Sequence, residues 1–399
     1  MFRALKRTCG ASLLLGLLPS LHAGQLPGTA VRFEPAVGVS VVQDDNVFFR
    51  EEDKIADSSV IINPQLNISS DLGIAGDSLE VDMDFRRESY SSESNLDNDE
   101  YRVAFEGVKM ITRAQYLELT VAAEESVLTR NAADSFGKLP DTLEQREMML
   151  GYHYKAGSIP LALTFGRASW RYVRLGSELH NPTDLRDRDE TLATLRIGYA
   201  PNEGRGIYFQ VERGEITGKA DSTELEDRDG ETMDWRLGYR FKTPGFIDLE
   251  ANLGMHSLQY DDAKLADVEE FVHLLRVAFS LSSLTRLTFN SSNQVEMTRL
   301  AGSPGYQSLN NTLALEHDFG RRLRLRVQLA KGTDTFLDSE VEDKTSEQGV
   351  SIRYLLGRRF SLFASAVQET RRRNRVSVDT FDESEVERGV ISAGIRYGL

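Results

Sequence analysis

Strict alternation of apolar and charged side chains, repeated in segment after segment, is the feature that most restricts how this chain can fold. In the segment 79–86, Leu, Val, Met and Phe alternate with Glu, Asp, Asp and Arg. In the segment 233–241, Met, Trp, Leu, Tyr and Phe alternate with Asp, Arg, Gly and Arg. A period of two indicates β-strands with one apolar and one charged face. A soluble sandwich seldom carries such uniformly charged outer faces, whereas a barrel with lipid outside and water inside predicts this pattern directly.

The number and spacing of these segments predict the architecture. About eighteen such segments occur between 33–42 and 387–399, with lengths near the 9–11 residues of a membrane strand. The links between them alternate between long and short. No stretch after residue 23 approaches the ~18–20 apolar residues of a membrane helix, so a membrane span must be a closed barrel. We therefore predict an all-β fold: a transmembrane antiparallel β-barrel of about 18 strands, with long extracellular loops and short periplasmic turns.

The first residues resemble a secretory signal. Arg3, Lys6 and Arg7 precede a short apolar run, and Pro19 then comes shortly before a plausible cleavage point after Ala23. The alternative is a buried N-terminal helix. We predict a signal peptide at 1–23, a barrel at 24–399, and a location in the Gram-negative outer membrane. The last strand ends on alternating apolar residues, which is the type of signal that the barrel-insertion machinery recognises.

Charge and cysteine content exclude several classes of protein. The chain has 47 basic and 62 acidic residues, a net charge of -15, which excludes a general nucleic-acid binder. Removal of the three basic residues of the signal would make the mature charge 44 minus 62, or -18. The single cysteine, Cys9, lies in the signal, so neither a disulfide framework nor a cysteine-based zinc site is expected.

Several short motifs resemble one family. The segment 33–48 contains Phe-Glu-Pro and then Gln-Asp-Asp-Asn-Val-Phe; Ile-Asn-Pro-Gln-Leu follows at 62–66, and a Tyr-Arg-Val strand begins at Tyr101. These stretches resemble landmarks of the putative beta-barrel porin 2 family. Because several such proteins are linked to exopolysaccharide or capsule export, the resemblance implies a conduit for polysaccharide. The partners that the resemblance implies are the polymer and a periplasmic export lipoprotein. The predicted barrel is also expected to contact outer-membrane lipid and lipopolysaccharide.

Motifs for catalysis and metal binding are missing from the sequence. No Gly-x-Ser-x-Gly or His-Glu-x-x-His occurs, and the inward-facing His153 and His256 have no histidine partner at metal-ligand spacing. Acidic runs such as 51–53 are typical of solvated or calcium-bridged loops. We predict no enzyme activity, no cofactor and no metal.

The charged inner face is the candidate functional feature. The residues predicted by their parity to line the lumen and to act in transport are Arg86, Arg102, Arg196, Arg236, Arg240, Arg276, Arg324, Arg326, Arg353, Arg396, Asp82, Asp84, Glu106, Asp248 and Glu250. One interpretation is a hydrated wall whose charges pair across strands. The other is a selectivity lining that guides a charged solute or polymer. A basic run, Arg371–Arg375, is predicted to lie in the last long loop.

Three functions remain open, and the family resemblance favours the first of them. The first is a conduit for exported polysaccharide. The second is a general or substrate-selective diffusion porin, and the third is a structural or adhesive protein with a closed lumen.

Overall fold

The chain is almost entirely β-strand. A computed structural model describes residues 24–25, 31–72, 76–128, 140–174, 184–202, 204–219, 226–377 and 380–398. The predicted signal at 1–23 lies outside the described residues. The strands are β1 Gly24–Gln25, β2 Val31–Asp44, β3 Asp57–Asp71, β4 Ser78–Tyr90, β5 Asn98–Thr112, β6 Gln115–Val127, β7 Asp141–Ala156, β8 Ile159–Arg174, β9 Arg188–Asn202, β10 Arg205–Gly218, β11 Gly230–Thr243, β12 Ile247–Tyr260, β13 Val268–Ser280, β14 Thr285–Glu296, β15 Tyr306–Phe319, β16 Leu323–Phe336, β17 Glu342–Leu355, β18 Phe360–Ser377 and β19 Thr380–Gly398.

Closure of the sheet removes its edges. Each strand from β2 to β19 pairs antiparallel with its neighbour in sequence, and β19 pairs with β2 from Val390↔Asp44 to Gly398↔Ala36. The short β1 adds two residues beside the start of β2. Every strand of the ring therefore has two hydrogen-bonded neighbours, as lipid requires. The predicted 18-strand antiparallel barrel is confirmed. No helix in the described residues is long and apolar enough to cross a membrane.

The two faces of the wall follow the predicted parity. Leu237 on β11 and Leu253 on β12 lie directly opposite each other, and their side chains are 53% and 51% exposed. Asp234 and Asn252, of the opposite parity on the same strands, are buried by other polar side chains of the interior. Apolar side chains thus face outward, and the charged set faces the lumen.

The strands are longer than the sequence pattern predicted, because they continue as hairpins beyond the lipid. The predicted loop position of the run Arg371–Arg375 is wrong. Strand β18 extends to Ser377, and the run pairs with β19; for example, Arg372 lies opposite Glu385. Alternating charges can extend a strand into water because there both of its faces are solvated. The apolar pattern therefore ends before the strand does.

Pro64 interrupts the β3–β4 ladder without ending the strand. Pairing is continuous except at Asn63 and Pro64, where the proline lacks a donor. The side-chain amide of Asn63 donates instead to the backbone oxygen of Phe85 and to Asp84 Oδ1, both at 2.7 Å. The amide thus satisfies acceptors on β4 that the proline cannot reach.

The periplasmic ends are joined by tight turns. Gly245 and Gly320 have φ values of 75° and 70° in the turns after β11 and β15. This left-handed conformation favours glycine. At the extracellular end the links are longer, and side chains of separate links pack on each other: Leu96 of the 3₁₀ turn Ser94–Leu96 is buried against Val47 and Phe48.

Candidate functional site: the barrel lumen

The middle of the wall carries charges in rows across neighbouring strands. Arg240, Glu250 and Arg276 occupy directly opposite positions on β11, β12 and β13. A basic, an acidic and a basic side chain are therefore neighbours on the inner face, where adjacent strands bring opposite residues within about 5 Å. This row contains three of the predicted lumen residues and leaves the acidic member between two cations.

An aromatic side chain that sequence reasoning missed lies flat on the same wall. The guanidinium carbon of Arg196 lies 3.7 Å from the ring centroid of Tyr208, in cation–π contact. The Tyr208 hydroxyl contacts Glu250 Oε1 at 3.4 Å and accepts from Asn252 Nδ2 at 3.3 Å. Gly238 leaves room for the ring, since a Cβ there would lie 2.0 Å from it. The sequence contained a signal for this contact, because the strand parity places both Tyr208 and Gly238 on the inner face.

The side of the barrel formed by β3 to β5 is acidic, and amides hold its carboxylates. Asn67 donates to Asp82 Oδ1 at 2.6 Å, and Gln65 donates to Asp84 Oδ2 at 2.6 Å. Glu106 lies directly opposite Glu80. On this side of the wall, Asp82 and Asp84 thus accept hydrogen bonds from neutral amides.

Most other predicted lumen charges pair with a neighbour. Arg86 contacts Glu100 and also donates to Glu88 at 2.7 Å. The shortest remaining N···O distances are as follows: Arg236–Asp234 3.2 Å, Arg324–Asp318 2.7 Å, Arg326–Glu316 2.7 Å and Asp248–Lys242 3.3 Å. These contacts agree with the interpretation of a hydrated wall whose charges pair across strands. Charges that are paired in this way are less available to a solute.

At the periplasmic mouth a cavity of about 640 Å³ brings together residues from β2 to β5 and β17 to β19. Five of the predicted residues line it: Arg102, Arg353, Arg396, Asp82 and Asp84. Arg396 donates to Gln65 Oε1 at 2.6 Å. Sequence parity located these residues on the inner face, but only barrel closure brings the first strands beside the last.

The extracellular end contains an ion-pair cluster that the sequence did not predict. Asp141 Oδ2, at the start of β7, accepts from Arg186 at 2.9 Å and from Arg299 at 3.0 Å. Arg186 also donates to Asp184 Oδ2 at 2.8 Å and stacks on the Tyr172 ring. We call Asp141, Asp184, Arg186 and Arg299 the bridging cluster. Its members come from β7, the β8–β9 link and the β14–β15 link.

The bridging cluster crosses the extracellular mouth. Strands β7 and β14 are seven positions apart around the ring of 18. At roughly 4.8 Å per strand, that is an arc of about 34 Å, so the link after β14 reaches Asp141 by extending over the opening. The side chains of Arg186 and Asp184 are only 3% and 5% exposed. The cluster therefore narrows the lumen at this end.

A buried arginine joins a further link to the same loop. Arg228, between β10 and β11, is 2% exposed and donates to the backbone oxygens of Leu300 and Ser303 at 3.2 and 2.9 Å. Glu226 Oε1 accepts from the Gly302 backbone at 2.5 Å. Backbone carbonyls are acceptors that any sequence offers, so no side-chain pattern could have predicted this contact.

Two aspartates of the β8–β9 link titrate differently. Burial opposes ionisation of Asp184, but hydrogen bonds and the charge of Arg186 hold its pKa below the ordinary value. Burial raises the pKa of Asp187 to about 7, aided by the nearby charge of Asp184, although the Tyr172 backbone donates to it at 2.6 Å. A carboxyl that titrates near neutral pH therefore lies beside the bridging cluster.

The histidines have individual acceptors. His256 Nδ1 lies 2.9 Å from Asp234 Oδ2, and His153 Nε2 lies 3.1 Å from Glu118 Oε2. Among the described residues, no group of three or more His, Cys, Asp or Glu side chains is arranged to hold a metal ion.

Comparison with known proteins bears on the family and the fold. The family model Putative beta-barrel porin 2 matches residues 27–396. No curated protein matches the chain. Three solved Pseudomonas aeruginosa proteins are similar in structure, each covering 92% of this chain and 98% of its own, with a TM-score of 0.50: OccK9 (OpdG) at 16% identity, OccK1 (OpdK) at 13%, and OccK2 (OpdF) in complex with glucuronate at 13%.

At such low identities these likenesses concern the fold alone. The family match extends over nearly the whole chain and agrees with the closed 18-strand ring and the lipid-facing apolar exterior. The chain belongs to the putative beta-barrel porin 2 family and is a porin-like β-barrel of the outer membrane.

Proposed function

We propose that the protein is a selective diffusion channel for small charged or hydrophilic solutes. The observation that carries this proposal is the contact between Arg299 and Asp141, by which the β14–β15 link extends over the extracellular mouth. A narrow, charge-lined opening selects solutes by size and charge. A wide, unobstructed lumen would suit a bulky polymer better.

The wall supports the same proposal. Its charges alternate in sign, as in the row of Arg240, Glu250 and Arg276, so the lumen stays hydrated without one dominant sign. Such a wall admits polar solutes of either charge. Selection between solutes is then left to the two mouths, where charged side chains form clusters.

Export of polysaccharide, which the family resemblance implied, is the second candidate. The amide side chains of Asn63, Gln65 and Asn67 follow one another along the inner face of β3 and favour this candidate. Amides and carboxylates provide donors and acceptors for sugar hydroxyls at successive positions. Under this candidate, the proposed partners are the polymer and a periplasmic export lipoprotein.

A paired measurement separates the two candidates. Purified protein in a planar bilayer should show a small, stable conductance if solutes diffuse through it. In a deletion strain, slowed uptake of small charged solutes with normal surface polysaccharide supports the diffusion channel. Missing or trapped polysaccharide with normal solute uptake supports the conduit. An absence of both defects, together with an absence of conductance, contradicts both and leaves a structural role.

A further inference from the structure

The cavity at the periplasmic mouth is lined by more cationic than anionic side chains. Arg102 on β5, Arg353 on β17, and Arg358 and Arg359 in the turn before β18 line it, and all four are exposed to its water. Within the part of the chain that the structure describes, none of the four has an ion-pair partner. Four unpaired guanidinium groups around one cavity make an electrostatic site for an anion.

Three carboxylates line the same cavity, those of Glu34, Asp82 and Asp84, and the last two accept hydrogen bonds from neutral amides. Asp84 accepts from Asn63 at 2.7 Å and from Gln65 at 2.6 Å, and Asp82 accepts from Asn67 at 2.6 Å. These short amide contacts keep the two carboxylates on the β3–β4 wall. With Arg396, the lining holds five arginines against three carboxylates, so positive charge is left over for a ligand.

A cross-strand contact adds to the positive potential on the other side. Arg353 lies directly opposite Arg324, and like charges at such positions repel. Asp318 binds Arg324 through two contacts of 2.7 and 3.0 Å, which neutralises that member of the pair only. The charge of Arg353 is therefore not balanced by an ion pair with any described residue. An anion that binds Arg353 would relieve its repulsion with Arg324.

The remaining lining specifies more than charge. Gln65 and Asn67 carry amides, and Asp82 carries an acceptor. Arginine forks bind carboxylates and phosphates, whereas amides and carboxylates hydrogen-bond hydroxyl groups. The volume of about 640 Å³ lies within the range of about 300–1,000 Å³ that small-molecule sites occupy.

We propose that this cavity is a binding site for a sugar that bears an oxyanion group, such as a sugar acid or a sugar phosphate. The oxyanion binds the arginines of β5, β17 and the β17–β18 turn, and the hydroxyl groups bind the polar wall of β3 and β4. The inference rests on the proposed diffusion channel, for which it names the class of solute. It also makes the periplasmic mouth the end where that solute is held.

Binding to the purified barrel in detergent tests the site. Galacturonate carries a carboxylate where galactose carries a hydroxymethyl group, so the pair tests the contribution of the carboxylate. Galactose 1-phosphate tests whether a phosphate group can take its place. We expect calorimetry to detect galacturonate, galactose 1-phosphate or both, with affinity falling as salt is added, and galactose to bind at least about tenfold more weakly. The phosphate and carboxylate arms show which oxyanion the cavity prefers. Equal affinity for galactose and both anions overturns the proposal.

Matched variants locate the binding. The double variant Arg102→Gln with Arg353→Gln should weaken anion binding about tenfold or more. Arg358→Gln with Arg359→Gln changes only the turn, so it keeps the test valid if the strand variants fail to fold. The control is Arg321→Gln with Arg322→Gln, in the neighbouring periplasmic turn, which does not line the cavity. Loss of binding in the control, or full binding in both test variants, overturns the site.

Calorimetry in detergent does not require conduction, so the two proposals can fail separately. A barrel that conducts in a planar bilayer but binds no anionic sugar refutes the site and leaves the channel. A barrel that binds the anion but never conducts refutes the channel and retains the site.

Discussion

Arg299 donates to Asp141 Oδ2 at 3.0 Å although the two residues are 158 positions apart in the chain. One belongs to the link after β14 and the other begins β7, so the contact connects distant parts of the extracellular rim. Arg186 donates to the same carboxylate oxygen. Two links and one strand end are thus held together at the mouth by three charged groups.

Breaking this contact should widen the mouth. We expect Arg299→Gln to raise single-channel conductance about twofold, because the β14–β15 link loses its anchor on the opposite wall. Conductance in a planar bilayer is the measurement. Arg213→Gln, which removes an exposed ion pair with Glu231, is the control and should conduct like the unchanged protein. Unchanged conductance in Arg299→Gln would show that the contact does not limit the opening.

The mouth should respond to pH through Asp187. Its pKa is raised to about 7, above the ordinary value of 3.8, because burial favours the neutral carboxyl over the carboxylate. The neutral carboxyl therefore makes its full contribution to the stability of the fold below pH 3.8. That stabilisation is lost as pH rises through about 7. We expect conductance and cation preference to increase between about pH 6 and about pH 8. Asp187→Asn should flatten this dependence, and an equally steep response in that variant would assign the titration to another group.

The assignment of faces can be tested at two adjacent positions of β16. Leu329 is 48% exposed on the lipid face, whereas Gln328 faces the lumen and donates to Glu347 at 3.1 Å. We expect Leu329→Arg to destabilise the barrel by about 2–4 kcal/mol, because a charge then meets hydrocarbon. Gln328→Arg should cost less, since water and Glu347 accommodate the cation. Urea unfolding with lipid vesicles measures both, and equal costs would contradict the assigned faces.

A buried carboxylate should hold the β17–β18 hairpin together. Asp343 is fully buried; it accepts from Arg371 at 2.7 Å and also contacts Arg373. Asp343→Asn removes a buried negative charge that contacts two largely buried guanidinium groups, so we expect a loss of about 3–5 kcal/mol in the free energy of unfolding. The temperature at which the folded band disappears in unboiled electrophoresis should fall.

The matched control lies on the outer face of the next hairpin. Glu385→Gln removes the partner of Arg372 in an exposed ion pair, and such pairs contribute about 0–1 kcal/mol. A drop as large as that of Asp343→Asn would mean that burial does not distinguish the two acids.

The sequence alone determined the strands, their faces and the closed barrel. The reason is local: side chains alternate across a strand, so lipid outside and water inside leave a period of two along each segment, as between Leu237 and Arg236. It also located Arg102 and Arg353 on the inner face. The sequence pattern underestimated the length of β18, which includes the run Arg371–Arg375. The part of a strand that extends beyond the lipid needs no apolar face, so it leaves no apolar alternation in the sequence.

Only the tertiary structure decided which charges meet. Ring closure brings Arg396 on the last strand to Gln65 on β3, and the folded links bring Arg299 to Asp141. These contacts join residues that are 331 and 158 positions apart, and they depend on strand register and loop path rather than on local periodicity. The narrow extracellular mouth and the unpaired arginines of the periplasmic cavity follow from such contacts, and the raised pKa of Asp187 follows from its burial in the folded β8–β9 link. No window of sequence could therefore have shown them.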